Sequence, residues 1–392
     1  MLALRLARGA HPLVQLRRLL VAAASAGTGF LLLCTLTYAM EHPGAGSVLR
    51  LAWCLAPIAA TVHFAVAVAR TDPATRPRPG LSAVGLGPGR LMVLAAISTA
   101  VACTLGSLLA LLFFLHLRGD LSGLPFDGAA AELLAADKPL PLAAALTLLT
   151  FVPLLASAVV ALVLRPRPAK STGTEPGADP AGEPDAPAPA PSGLPWGVAL
   201  LAAGLAVETY ASRSGVGAGG GGLPMPGGAD GSPAGVLAGW ALTALGLVLA
   251  GPGLTHLCGR ILQAVRPGAV RLLAGRVLQQ EARRIGRPLG VLCAVASGAY
   301  ASAVLYAGPR PAVGPLTALG ALLVAGCAVL TLATAAIEAR QSRSHTTAAL
   351  LRLGAPATML RGSVALRAGA LAAVFGPLTW LVAELAALPL VR

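Results

Sequence analysis

Nine apolar runs dominate the chain, at 19–40, 51–69, 91–115, 141–164, 195–211, 234–256, 288–307, 315–337 and 368–388. At 1.5 Å of rise per helical residue, about 20 residues cross the roughly 30 Å of bilayer hydrocarbon. In that medium every backbone N–H and C=O must find its partner inside the protein, which leaves helices and closed barrels. Runs of this length predict an all-α, polytopic transmembrane helical bundle of about nine spans. The fifth run is the shortest, and Trp196 and Tyr210 bracket it as interfacial anchors do. Only 11% of residues are charged and 56% are hydrophobic. A water-soluble domain carries about 25% charged residues, so the polar surface needed to cover a soluble globule is missing.

The charge that remains sets an orientation. Lys and Arg total 29 against 15 acids, yet only Lys138 and Lys170 are lysines; with abundant Ala, 47 Gly and 32 Pro this reads as the coding bias of a high-GC bacterial genome. Nucleic-acid binding is not expected from it. With the N-terminus in the cytoplasm, most of the basic residues fall in cytoplasmic loops, and the external loops hold Arg118, Lys138, Arg213, Arg310 and Arg392. The positive-inside rule therefore predicts a multi-pass cell-membrane protein with its N-terminus cytoplasmic and, after an odd number of spans, its C-terminus external. Arg5, Arg8, Arg17 and Arg18 precede the first run as they would in a signal peptide, but its length of about 22 residues exceeds the apolar region of such a peptide, so it is expected to stay as an anchor. Reporter fusions at Gly177 and Ser344 are expected to read cytoplasmic and one at Gly220 external; the opposite signal at any of them breaks the orientation.

Two low-complexity segments divide the chain. Residues 165–194 are rich in Pro, Ala and acids and read as a disordered cytoplasmic linker. The Gly-rich stretch within 212–233 reads as a flexible external loop. The expected parts are a first four-span unit at 1–164, the linker, a middle helix pair at 195–257, and a second unit at 258–392. The two units echo each other. Superposing Gly87 on Gly354 also brings Met92 onto Met359, each between the second and third spans of its block. An Arg- and Leu-bearing stretch precedes each block, at 2–8 and at 272–284. In the latter, Leu272, Leu273, Val277 and Leu278 alternate with Arg271, Arg276, Arg283 and Arg284 as in an amphipathic helix, expected to lie along the inner membrane surface.

Catalytic signatures are missing. Lys170-Ser171 is the only Lys-Ser/Thr dipeptide and lacks the glycines that cradle phosphate; there is no His-Glu-x-x-His and no Gly-x-Ser-x-Gly. No metal site, cofactor or enzymatic activity is expected, and Cys34, Cys54, Cys103, Cys258, Cys293 and Cys327 read as small apolar packing residues. Ionisable groups inside spans are expensive and are functional candidates by default. Here they are His63, Glu208, Arg367 and Glu384. His63 is expected to be a hydrogen-bonded neutral imidazole, Glu208 and Glu384 to reach water at the outer surface, and Arg367 to snorkel inward. They form no acidic relay, which disfavours a proton-coupled carrier.

The strongest functional signal is a basic, apolar knuckle between the eighth and ninth runs. Arg340, Arg343, Arg352 and Arg361 surround a short helical run, 348–353, ended by Gly354-Ala-Pro. The stretch 340–356 (RQSRSHTTAALLRLGAP) resembles the R-x-R-E…LLR-x-LGA segment of the FtsX-like (MacB-type) permease domain of ABC transporters, and the order amphipathic helix, span, external loop, span, knuckle, span is similar to that family's unit. The resemblance implies two FtsX-like units around a middle pair, with a separate ATP-binding cassette subunit hydrolysing ATP in trans. Arg340, Arg343, Leu351, Arg352, Gly354 and Ala355 would then be the ATPase contacts, with Gly85 and Gly87 as the weaker counterpart in the first block. Membrane lipid, and a second copy of the chain in a homodimer, complete the expected partners. The sequence departs from the family in lacking the acidic residue after the arginine pair, in carrying Leu366-Arg367-Ala368-Gly369 where Leu-Glu-Ala-Gly is common, and in lacking the tenth span and any large external domain. A membrane scaffold or regulator that kept the fold and lost the coupling is the alternative.

Overall fold

The computed structural model describes residues 12–42, 44–72, 87–121, 128–132, 134–165, 191–213, 234–264, 268–306, 314–354 and 356–391. They form α1 (Pro12–Glu41), α2 (Ala45–Trp53), α3 (Leu55–Thr71), α4 (Pro88–Arg118), α5 (Leu142–Leu164), α6 (Gly193–Arg213), α7 (Ala234–Ala264), α8 (Ala269–Tyr306), α9 (Pro315–Ser342), α10 (Ser344–Arg352) and α11 (Ala357–Val391). Among the described residues nine helical stretches are long and apolar enough to cross a membrane, and each overlaps one of the nine apolar runs. The chain is a polytopic, all-α membrane protein.

The second crossing is not the single helix its run suggested. Pro57 has no N–H to donate to the carbonyl four residues back, and the helix is interrupted at Cys54, whose N–H closes a tighter turn on Leu51 O at 3.0 Å.

Contacts group the helices into two compact units: α1–α5 with α9 up to Thr334, and α6–α8, α10 and α11 with α9 from Ala335. In lipid the hydrophobic effect does not drive helices together, so close backbone approach and interhelical hydrogen bonds must. The first unit uses both. Ser25 Oγ donates to Cys103 O (2.9 Å) between α1 and α4, Ser107 Oγ to Leu149 O (3.1 Å) between α4 and α5, and Thr28 and Thr61 pair their hydroxyls at 2.9 Å between α1 and α3. Phe64, Cys103, Val152 and Cys327 fill the middle of this unit. Along α4, Ile97, Val101, Leu105, Leu108 and Leu112 recur at helical spacing and are exposed, an apolar face of the kind that suits a lipid surrounding.

The second unit is closed by glycine. Antiparallel α6 and α7 approach so closely that a Cβ on Gly239 would stand 2.8 Å from Gly204 O. On its other side α7 meets α8, where a Cβ on Gly286 would stand 2.6 Å from Pro252 Cα, and one on Gly275 2.6 Å from Gly259 O. Phe375 and Val382 of α11 pack with Leu247 and Cys293 of α7 and α8. α7 continues to Ala264, past the boundary expected at 257/258, and the middle pair α6–α7 belongs to one packed unit with α8.

This packing corrects one expectation. The stretch 272–284 does not form a separate helix along the membrane surface: it is the first half of α8, a 38-residue helix about 57 Å long. Its apolar stripe is buried against α7 through Gly275 and Gly259, and an amphipathic pattern serves a helix packed on a neighbour as well as one lying on lipid.

One regularity links the blocks. In each, the first and third crossings, α1 with α4 and α8 with α11, are tied by a serine hydroxyl donating to a backbone carbonyl: Ser25 to Cys103 O, and Ser297 to Thr379 O at 3.2 Å.

Candidate functional site

The knuckle is α10 and the two turns that bound it. α9 ends at Ser342, Arg343 carries the chain across with φ −94° and ψ −3°, and Thr347 N–H donates back to Arg343 O at 2.8 Å. At its other end Leu353 N–H donates to Ala349 O (3.0 Å) and Gly354 N–H to Leu351 O (3.1 Å). Gly354 has φ +85°, a conformation that L side chains rarely adopt. Gly just past the helix and Pro356 two residues on end α10 sharply, and α11 begins at Ala357.

The knuckle is clamped to α8 by two crossed ion pairs. Arg343 Nη1 stands 3.3 Å from Glu281 Oε2, while Arg343 Nε donates to Ala339 O at 3.0 Å. In the reverse sense Arg284 of α8 places Nη2 3.8 Å from Glu338 Oε1 of α9 and donates from Nη1 to Ser342 Oγ at 3.3 Å. Glu281 is buried, and a carboxylate there is tolerable because a guanidinium faces it.

Facing outward are Arg340, Leu351, Arg352 and Leu353, the last 84% exposed. The predicted contact residues therefore divide. Arg340, Leu351, Arg352 and Gly354 lie on the exposed knuckle, whereas Arg343 turns inward to hold it. Ala355 and Gly85 lie outside the described residues, as does most of the first-block counterpart; Gly87 precedes α4 with extended backbone, φ −67° and ψ 166°. Sequence reasoning missed Glu281, Arg284 and Glu338. A signal existed: Glu281 is the one acid in the arginine-rich stretch 271–287.

The intramembrane candidates lie on α3, α6 and α11. His63 is half-buried on α3. Arg367 is half-buried and its Nε donates to Ser363 O one turn back, at 3.1 Å, reaching toward the start of α11. Glu384 accepts a hydrogen bond from Tyr300 Oη of α8 at 2.7 Å. Glu208 does not reach water as expected: it is fully buried, and Trp240 Nε1 donates to its Oε1 at 2.7 Å. The cause is Gly239 on α7, whose missing side chain lets the α6 backbone close in and brings the neighbouring indole to the carboxyl. Trp240→Phe is expected to lower the unfolding midpoint of the purified protein, a cost of about 1–3 kcal/mol for the stranded carboxyl, and adding Glu208→Leu to recover most of it. A Trp240→Phe protein as stable as the parent would show that the indole bond contributes nothing.

Among the described residues no three His, Cys, Asp or Glu side chains gather as a metal site would require, and the six cysteines are buried and free. No family model matches the chain, and neither a curated protein nor a solved structure matches it.

Proposed function

We propose that the chain is the permease subunit of an FtsX-like ABC transporter or mechanotransmission complex, and that a separate ATP-binding cassette subunit docks on α10 and hydrolyses the ATP. The observation that carries this reading is the outward pair Leu351 and Leu353 on either side of the exposed Arg352, with Arg340 exposed at the end of α9, on a turn held by two ion pairs. Apolar anchors flanked by arginines are the composition of a protein-docking surface, and the clamp gives such a surface something firm to push.

The mechanism that follows is mechanical. Closure of the ATPase on nucleotide displaces α10. Because Arg343 and Glu338 tie that turn to Glu281 and Arg284, the displacement reaches α8 as well as α9 and α11. The glycine contacts then pass it from α8 to α7 and α6. Transport needs two discrete packings of these helices, between which bound nucleotide shifts the balance.

The test is co-purification from native membranes. The parent chain is expected to carry an ATP-binding cassette protein, identified by mass spectrometry, and Arg340→Glu with Arg352→Glu to lose it. Recovery of the intact chain without any ATPase, under conditions that preserve other membrane complexes, contradicts the proposal and leaves the scaffold reading.

A further inference from the structure

We propose that Arg283 and Arg287 on α8 form a binding site for the phosphate of an anionic phospholipid. Counting 100° per residue, positions 276, 280, 283 and 287 fall within an arc of about 60°, and Arg276, Gln280, Arg283 and Arg287 are all exposed. Ala274, Leu278, Glu281, Ala282 and Gly286 occupy the opposite, buried side of the helix. The stripe therefore faces away from α7 and toward whatever surrounds the unit.

Charge accounting then shows that the nearby acids are already engaged with other arginines. In the stretches 258–287 and 338–367 the only acids are Glu281 and Glu338, among many arginines. Both are engaged, with Arg343 and Arg284. Among the described residues Arg276, Arg283 and Arg287 make no ion pair, and an anionic headgroup can supply the counter-charge.

Depth decides which. Arg287 immediately precedes the apolar run that begins at Pro288, and Arg283 lies one turn, about 6 Å, further out. That places both guanidiniums where lipid phosphates lie, with their aliphatic stems against the hydrocarbon boundary. Arg276, about 16 Å from Arg287 along the axis, is beyond headgroup reach. Two planar forks on one face match phosphate oxygens, and two uncompensated positive charges favour a headgroup with net negative charge over a zwitterionic one. The site stands whether or not an ATPase docks on α10.

Native mass spectrometry of the purified full-length chain, titrated with phosphatidylglycerol or phosphatidylcholine, tests it. The parent is expected to prefer phosphatidylglycerol by about an order of magnitude. Arg283→Gln with Arg287→Gln is expected to bring the two lipids to near parity. The control pair Arg276→Gln with Arg352→Gln, which removes as much charge, is expected to keep the preference. Melting curves of all three proteins in phosphatidylcholine alone, if alike, confirm that each is folded. No preference in the parent, or equal loss in both pairs, overturns the site. Displacement of the bound lipid by millimolar inorganic phosphate overturns it in another way, by assigning the arginines to a soluble anion.

Discussion

Gly286→Leu is expected to abolish the folded, monodisperse protein. A Cβ at this position would stand 2.6 Å from the Cα of Pro252 and 2.7 Å from its nitrogen. Both are backbone atoms, and neither belongs to a side chain able to swing aside. α7 and α8 must therefore separate, and the separation spreads along the interface, because Gly275 with Gly259 and Gly290 with Leu247 hold the same pair of helices at the same close distance. Overpacking in a dense interior costs about 1–3 kcal/mol when side chains can adjust and more when they cannot. A loss of at least about 3 kcal/mol is a large share of the stability of any domain. Gly298→Leu is the control. It lies on the same helix with no heavy atom within 4 Å of its Cβ position, and it is expected to leave the elution profile and unfolding midpoint unchanged. Equal behaviour of the two variants would show that the close approach of α7 and α8 is not what holds the second unit together.

The second large effect concerns the clamp. Arg343→Gln is expected to destabilise the chain by about 2 kcal/mol, because it leaves the buried Glu281 carboxylate without its counter-charge. The Arg343 side chain is itself partly exposed, which keeps the cost below that of a fully buried pair. Glu281→Gln is expected to cost less, since the amide oxygen can still accept from Arg343, whose Nε keeps its bond to Ala339 O. The exchange Glu281→Arg with Arg343→Glu restores opposite charges at about the same separation and is expected to recover at least half of the loss, read from unfolding midpoints in detergent. A spin label at the exposed Thr346 supplies a second readout: its motion should increase in the single variants and slow again in the exchange. Single variants with parental stability and an unchanged label would reduce the ion pair to a surface contact.

How much of this was legible beforehand depends on which interactions fixed each feature. The crossings were legible because a span is a property of one segment. The run at 91–115, for example, is apolar enough and long enough to be α4 whatever surrounds it. The break at Cys54 was open to reading from Pro57 alone. The seams of the second unit were not, because a glycine in a span announces no partner: nothing in the composition of 275–298 says that Gly286 lies against Pro252 and Gly298 against open space.

Glu208 was misjudged for the same reason. Its position near one end of α6 was plain in the sequence, but whether it met water depended on Gly239 and Trp240, residues of another helix. The knuckle was legible as a motif, since Leu-Gly-Ala-Pro ends a helix by local backbone chemistry. The division of its arginines into Arg343, which holds, and Arg340 and Arg352, which face out, required the position of Glu281.

The central claim is that α10 is where a nucleotide-driven partner pushes, and a photocrosslinking residue placed at Leu353 in the full-length chain tests it most directly in native membranes. The expected product joins the chain to an ATP-binding cassette subunit, while the same residue at Leu322, exposed within the apolar run of α9, joins it to lipid. Attachment of lipid alone at Leu353, with the Leu322 position behaving as expected, would contradict the account.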